Sequence, residues 1–344
     1  MKIALGFQIQ DGPWGGGNRF ARSLSEALVG SSHEVVTTLR DDDIDIALMM
    51  DPRFRHPAAT FTAPSLALYR AMRDSGLLIV HRINECDERK GTKSMNSLLK
   101  RANYIADHTV FVGDWLRRLD LWQDSPRASW STIHNGADTS IFNTSGWKPW
   151  SGEGPLKLVT HHWGGNWMKG FDVYQEIDRM LGEPEWKPVI EFTYIGNLPR
   201  GFTFKHARHA APLDADDLAD EIRRHHLYVT ASINEPGGNH QNEGALCGLP
   251  LLYRNSGCMP EYCEGFGLRF EGADDFRRVL KNYLDHGTYT SYVNRMPAYP
   301  HTADATAKAY IDLFEDLHGR RGELIENRRR RHNLRKAVAA MWPF

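Results

Sequence analysis

SINEPGGNHQNEGALCGLP, residues Ser232–Pro250, follows an apolar run at Leu227–Ala231 that reads as a β-strand. The stretch therefore lies at the carboxyl end of a strand, where α/β sheets hold their ligands. Glu235 and Glu243 have seven residues between them, which include Pro236-Gly237-Gly238-Asn239, and a short helix is predicted to begin near Asn242. That spacing gathers two carboxylates and several backbone N–H groups around one small volume. Backbone donors at a helix start suit a diphosphate, and a carboxylate suits paired ribose or sugar hydroxyls. Two glutamates alone are common surface residues; the Gly-rich loop joined to EGALCGLP is more specific.

Outward from this stretch, short apolar runs alternate with helical patterns. Before residue 143 the runs are Lys2–Phe7, Glu34–Leu39, Asp45–Met50, Leu77–Ile83, Thr109–Val112 and Trp130–His134, with helices predicted at Asn18–Val29, Ser65–Asp74 and Lys93–Ala106. After Pro155 the alternation restarts with strands at Leu156–Thr160, Val189–Ile195, Leu227–Ala231 and Leu251–Tyr253, and helices at Asp214–His225 and Asp274–Asp285. Such alternation predicts parallel sheets covered by helices. Asn143–Pro155, rich in Gly, Ser and Pro and without periodicity, reads as an interdomain linker. The division is 1–145, 146–318 and a basic segment 319–344.

Composition narrows the class. The 344 residues are 41% apolar and 25% charged, the balance of a folded protein of two middling cores. Forty-two Lys and Arg against 43 Asp and Glu exclude the strongly basic character of a nucleic-acid binder. The start, MKIALGFQIQ, lacks a signal peptide's apolar region, and no run approaches a bilayer span. The four cysteines contain no CxxC pair, which points to reduced thiols in a cytoplasmic protein. Gly12-Pro-Trp-Gly-Gly-Gly17, between the first strand and its helix, allows close approach of a ligand but is not GxGxxG, so a nicotinamide-dependent oxidoreductase fits poorly.

These segments resemble the retaining GT-B glycosyltransferases of family 4. The family's hallmark, a Glu, seven residues, then a Glu followed by small residues and Gly-Leu-Pro, matches Glu235 to Pro250. In the family's order, Gly15-Gly-Gly17 resembles its glycine loop, His134-Asn-Gly-Ala-Asp138 with Phe142 its NG(V/A)D…F segment, and Trp167-Met-Lys-Gly170 its KG segment. The resemblance spans about Met1 to Phe270 and implies an α/β fold of the GT-B type: two facing Rossmann-like domains with a cleft between them, the first on the acceptor side and the second holding a nucleotide-sugar.

The same resemblance implies roles residue by residue. Lys169 neutralises the donor diphosphate, Glu243 holds the ribose hydroxyls, and Glu235 orients the donor sugar. Gly16 and Gly17 bring N–H groups to phosphate or sugar. His81, read as ending its strand, faces the donor or acceptor pocket. Gly238 and Asn239 belong to the donor loop, and Gly196, with Asn197 and Leu198, to the base-reading loop. The family's Arg, five or six residues before the Lys, is absent; His161-His-Trp-Gly-Gly-Asn166 stands there, so His162, Asn166 or main-chain N–H groups take its place.

The implied activity is transfer of a sugar from a UDP- or GDP-sugar to a glycan or glycolipid, with retention, as a hexosyltransferase-type enzyme of polysaccharide biosynthesis. It needs no cofactor and no metal: Asp41–Asp43 reads as a solvated turn, and neither His pair has helical i, i+4 spacing. Alternatives are a non-catalytic sugar-nucleotide or glycan-binding subunit, or an epimerase or hydrolase on the same scaffold. The 319–344 segment, with eight Lys and Arg, reads as a helix packing back on the first domain. Its other reading is a peripheral foothold on anionic lipid at the inner membrane face, with Trp342 and Phe344.

Overall fold

The computed structural model of the chain describes residues 1–10, 15–53, 56–73, 76–126 and 128–331. The first part contains β1 (Lys2–Leu5), α1 (Gly15–Gly30), β2 (Glu34–Val36), β3 (Ile46–Met49), α2 (Ala63–Met72), β4 (Leu78–Ile83), α3 (Met95–Asn103), β5 (His108–Phe111) and β6 (Trp130–Thr132). The second contains β7 (Leu156–His162), α4 (Phe171–Leu181), β8 (Ile190–Gly196), β9 (Arg208–Ala210), α5 (Ala215–Ile222), β10 (Leu227–Thr230), α6 (His240–Leu246), β11 (Leu251–Arg254), α7 (Met259–Cys263), β12 (Gly267–Phe270), α8 (Ala273–Tyr283) and α9 (His286–Val293). Helices α10 (Ala303–Gly319) and α11 (Arg321–Arg331) follow.

Two parallel six-stranded sheets result, ordered β2-β1-β3-β4-β5-β6 and β12-β11-β10-β7-β8-β9. In the first, Ile3, Leu5, Ile46, Leu48, Leu78 and Val80 enter one apolar layer, whereas Ala4, Ala47, Met49 and Ile79 enter the layer on the other face. Strands buried on both faces read as unbroken apolar runs, which is why they were visible in the sequence. Ala307, Tyr310, Phe314 and Leu317 of α10, spaced by three and four, join Ala21, Leu24 and Leu28 of α1 in the first layer.

The chain divides into Met1–His134 with the segment from Asp304 onward, and Asn135–Ala303. The predicted boundary at 145/146 thus falls at 134/135, and Asn143–Pro155 is not a free linker. Asn135 N donates to the Tyr262 hydroxyl (2.8 Å), and Trp147 Nε1 donates to the His225 carbonyl (2.9 Å). Trp150 is buried and its N–H donates to the Tyr289 hydroxyl (3.0 Å). Turn-forming composition suggested a linker, but the burial of Trp150 and the hydrogen bond of the Trp147 indole hold the segment on the second unit.

The return to the first unit likewise begins at α10, ahead of the predicted Gly319. Arg320, Arg321 and Arg328 are paired with Asp316, Asp45 and Asp107. Residues 332–344, including Trp342 and Phe344, lie outside the described residues. Among the described residues, no helix is long and apolar enough to cross a membrane. The acidic turn at Asp41–Asp43 is held by Lys2, whose Nζ is 3.1 Å from Asp41 Oδ2 and 2.8 Å from Asp43 Oδ1. Strands β9 and β12 went unpredicted because they are short and partly polar edge strands.

Asp107, buried before β5, accepts from Arg70 (2.6 Å), from Arg328 (2.9 and 2.8 Å) and from the backbone N–H of Ile79 (2.9 Å). Removing one member of a buried charge cluster leaves the others uncompensated. Asp107→Ala is therefore expected to destabilise the protein by about 3–5 kcal/mol in urea unfolding, and Arg328→Ala by less, because Arg70 still faces the carboxylate.

Burial also pushes His81 down to about 3, and His108, His225 and His226 down to about 4. Between those values and about 6.5 the unfolded chain binds more protons, so stability falls as pH falls through this window. Each of the buried His81, His108 and His225 withdraws up to roughly 1 kcal/mol per pH unit there, and the partly exposed His226 less. The urea midpoint is expected to drop steadily from pH 7 to 4.5, and His225→Gln to flatten the slope.

Candidate functional site

In the second sheet the strand order reverses at β7, which has β8 on one side and β10 on the other. Ligands of doubly wound folds bind at such a switch point, outside the carboxyl ends. The loops that leave β7 and β10 here are laced together. Asn166 Oδ1 accepts from Met168 N (2.8 Å) and opens the single turn Trp167–Lys169. Gly170 ends it at φ +99°, and a Cβ there would stand 2.4–2.5 Å from Ala231. Only glycine meets both demands. Ile233 N donates to the Met168 carbonyl across the two loops (2.8 Å).

That lacing sets Lys169 Nζ 2.6 Å from Glu235 Oε2. Glu235 is 4% exposed, and the loop after β11 fixes its backbone: Cys258 N donates to its carbonyl at 2.9 Å. The second carboxylate, Glu243, is 6% exposed on α6, and its Oε2 lies 2.6 Å from His161 Nε2. Asn242 anchors α6 by donating to the Asn135 carbonyl (3.0 Å) and accepting from the Tyr299 hydroxyl (2.6 Å).

The structure brings most predicted residues of the second unit together. His162 Nε2 bonds the Tyr174 hydroxyl at 2.8 Å, and its ring lies 4.5 Å from that of His240. Gly196 ends β8 at φ +136°, where a Cβ would collide with the His162 carbonyl. Gly238 accepts from Gln241 Nε2 (2.7 Å), and Asn239 precedes α6, accepting from Glu243 N (3.0 Å). Helix α6 starts two residues earlier than expected, at His240.

Gly16, Gly17 and His81 belong to the first unit. Gly16 and Gly17 lie in the first turn of α1, while Gly12–Trp14 of the same loop lie outside the described residues. His81 does not end its strand: β4 runs on to Ile83 and packs His81 completely out of solvent, with Nδ1 3.1 Å from Asn103 Nδ2. Desolvation keeps its ring neutral at pH 7.

Residues that sequence reasoning did not select also build the site. His161, Tyr174, Tyr228, Thr230 and His240 form a buried polar cluster that meets Glu243 through His161, with Thr230 Oγ1 2.7 Å from His240 Nε2. The available signal was β7 itself, an apolar strand that ends in two imidazoles at the switch point. His225 engages the Glu221 carbonyl and Thr193 Oγ1. Among the described residues, no group of three or more His, Cys, Asp or Glu is arranged to hold a metal ion. A polar cavity of about 640 Å3 lies elsewhere, on the first unit between α3, Gln123–Pro126 and α11. It sits at the amino ends of β5 and β6 and contains no predicted site residue, so the switch point is the better candidate.

No family model matches the chain. The phosphatidylinositol N-acetylglucosaminyltransferase gpi3 subunit of Schizosaccharomyces pombe is 27% identical over 149 residues, which cover 38% of this chain and 33% of the relative. The chain thus matches about a third of that curated relative's length. Among solved structures, a sucrose-phosphate synthase from Thermosynechococcus elongatus superposes with TM-score 0.63 at 15% identity, covering 92% of this chain and 99% of its own. A glycosyltransferase from Rickettsia africae gives 0.64 at 10%, covering 92% and 97%. Anabaena HepE, solved with UDP and glucose, gives 0.63 at 14%, covering 92% and 100%. These likenesses establish the fold: a two-domain α/β architecture with two parallel six-stranded sheets, matching GT-B glycosyltransferase structures.

Gly170→Ala is expected to combine a strained backbone, roughly 1–3 kcal/mol, with steric overlap of similar size. Gly146→Ala, at φ +77° with nothing within 4 Å of the new methyl, carries the strain alone. Chemical denaturation of the two variants should separate them by more than 1 kcal/mol.

Proposed function

We propose that the chain is a glycosyltransferase of the retaining family 4 type, which moves a sugar from a nucleoside-diphosphate sugar to a glycan or glycolipid. The observation that carries the reading is the grouping of Lys169, Glu235 and Glu243 at the β7/β10 switch point, in the order and spacing of the sequence hallmark. The match to a GlcNAc-transferase subunit and the fold shared with a protein solved with UDP and glucose agree with it.

In this reading Lys169 faces the diphosphate, Glu243 the ribose hydroxyls and Glu235 the sugar. As the bond between the anomeric carbon and the phosphate oxygen breaks, negative charge grows on the leaving phosphate, where a fixed cation is most effective. The acceptor oxygen bonds the anomeric carbon on the face the phosphate leaves, and its proton passes to that phosphate. Glu235, 2.6 Å from an ammonium, is suited to accept sugar hydroxyls and is not assigned as a nucleophile. No metal is assigned. The absence of an arginine from His161–Asn166 favours a second reading, a subunit that binds the nucleotide-sugar without turnover.

A thermal-shift panel of UDP, GDP, CDP, TDP and ADP and their sugars tests both. One nucleotide at a hundred times its Kd should stabilise the wild type by about 2.7 kcal/mol, and Lys169→Ala and Glu243→Ala should lose that increment. Release of nucleoside diphosphate in the presence of acceptor separates the enzyme from the binding subunit. A stable glycosyl adduct on Glu235 would contradict the assigned role of that residue.

A further inference from the structure

We propose that His161 is a positioning residue of the donor site, which fixes the Glu243 carboxylate in the orientation that grips a ribose diol. The inference rests on the donor reading above and adds to it a residue outside the sequence hallmark.

An ionised carboxylate only accepts, so the 2.6 Å contact between His161 Nε2 and Glu243 Oε2 places the proton on Nε2. In the neutral ring Nδ1 is then an acceptor. It faces the Tyr228 hydroxyl at 2.9 Å, and that hydroxyl oxygen accepts the backbone N–H of His161 at 3.2 Å. Burial holds the Tyr228 hydroxyl well above its ordinary titration range, so it remains a donor. The chain therefore runs one way: Tyr228 donates to His161, and His161 donates to Glu243.

Three elements supply it. Tyr228 stands on β10 and His161 on β7, strands paired in register at Leu227–Leu158 and Tyr228–Val159, while Glu243 rides on α6. Gly244 makes the geometry possible, because a Cβ there would stand 2.2 Å from the Tyr228 ring. The glycine after Glu243 thus lets α6 settle onto the tyrosine whose hydroxyl orients the imidazole. The sheet thereby sets the angle of a carboxylate that sits on a short helix. A carboxylate rotated out of this plane cannot accept two neighbouring hydroxyls at once.

The test compares the Kd of UDP (or the nucleoside diphosphate that best stabilises the wild type) with that of its 2′,3′-dideoxy form, by calorimetry on the full chain. The wild type should prefer the ribonucleotide by roughly ten- to a hundredfold, the worth of charge-assisted hydrogen bonds. Glu243→Gln and His161→Phe should each lose most of that preference, and the double variant should lose no more than either. His161→Gln, whose amide N–H reaches the place of Nε2, should keep the greater part. A folded His161→Phe with the wild-type preference overturns the proposal and leaves the donor reading standing. Should His161→Phe fail to fold, Tyr228→Phe serves: a severalfold weaker preference supports the chain, and an unchanged one overturns it. A wild type without ribose preference, or without nucleotide binding, overturns the donor reading and this inference with it.

Discussion

Glu235 and Glu243 are almost wholly withdrawn from water at the carboxyl ends of β10 and the start of α6. A buried carboxylate persists only where cations or donors meet it. Much of the local architecture of the second unit follows from that demand. Lys169 can reach Glu235 only because Gly170 takes a left-handed conformation against Ala231, and because Asn166 turns the chain immediately beforehand. His161 can reach Glu243 only because Gly244 leaves room for Tyr228. The glycines of this region mark where backbone must yield so that charge can be compensated.

The same demand gives the donor reading its physical content. Without ligand, the Lys169 ammonium is matched to Glu235 at 2.6 Å. In the donor reading proposed above, a diphosphate would compete for that ammonium and sugar hydroxyls would meet the glutamate it leaves, so that one ion pair would couple the two halves of a nucleotide-sugar. Glu243 is differently placed. Its partner is an imidazole braced by the sheet, which keeps one carboxylate oxygen engaged whatever occupies the other side.

Much of this was legible in the sequence, for identifiable reasons. Strands buried on both faces appear as apolar runs, so most strands and both sheets could be read directly. The loop after Leu227–Thr230 was readable because its glycines and glutamates have few structural reasons to cluster. The boundary at 134/135 was not, since Asn143–Pro155 has the composition of a linker and its two indoles are held by residues far away in sequence, Trp147 by the His225 carbonyl and Trp150 against Tyr289. His81 was placed at a strand end with the family resemblance, although the apolar run Leu77–Ile83 already carried the strand past it, as β4 does. The polar cluster of His161, Tyr174, Tyr228 and His240 was invisible because each pairing spans a different strand or helix, and only register brings the atoms together.

The first unit shows how the same physics serves the fold instead of a ligand. Asp107 is as deeply buried as the two glutamates, yet it lies at the amino end of β5, and its partners come from α2, β4 and α11. Arg70 comes from α2 and Arg328 from α11, so the cluster binds these helices to the sheet. At the switch point of the second unit, by contrast, the cation that meets Glu235 sits on a single turn, Trp167–Lys169, between β7 and α4. Asp107 thus meets arginines carried by two helices that pack on the sheet, whereas Glu235 meets a lysine on a loop turn at the switch point, which is the pair the donor reading requires to separate.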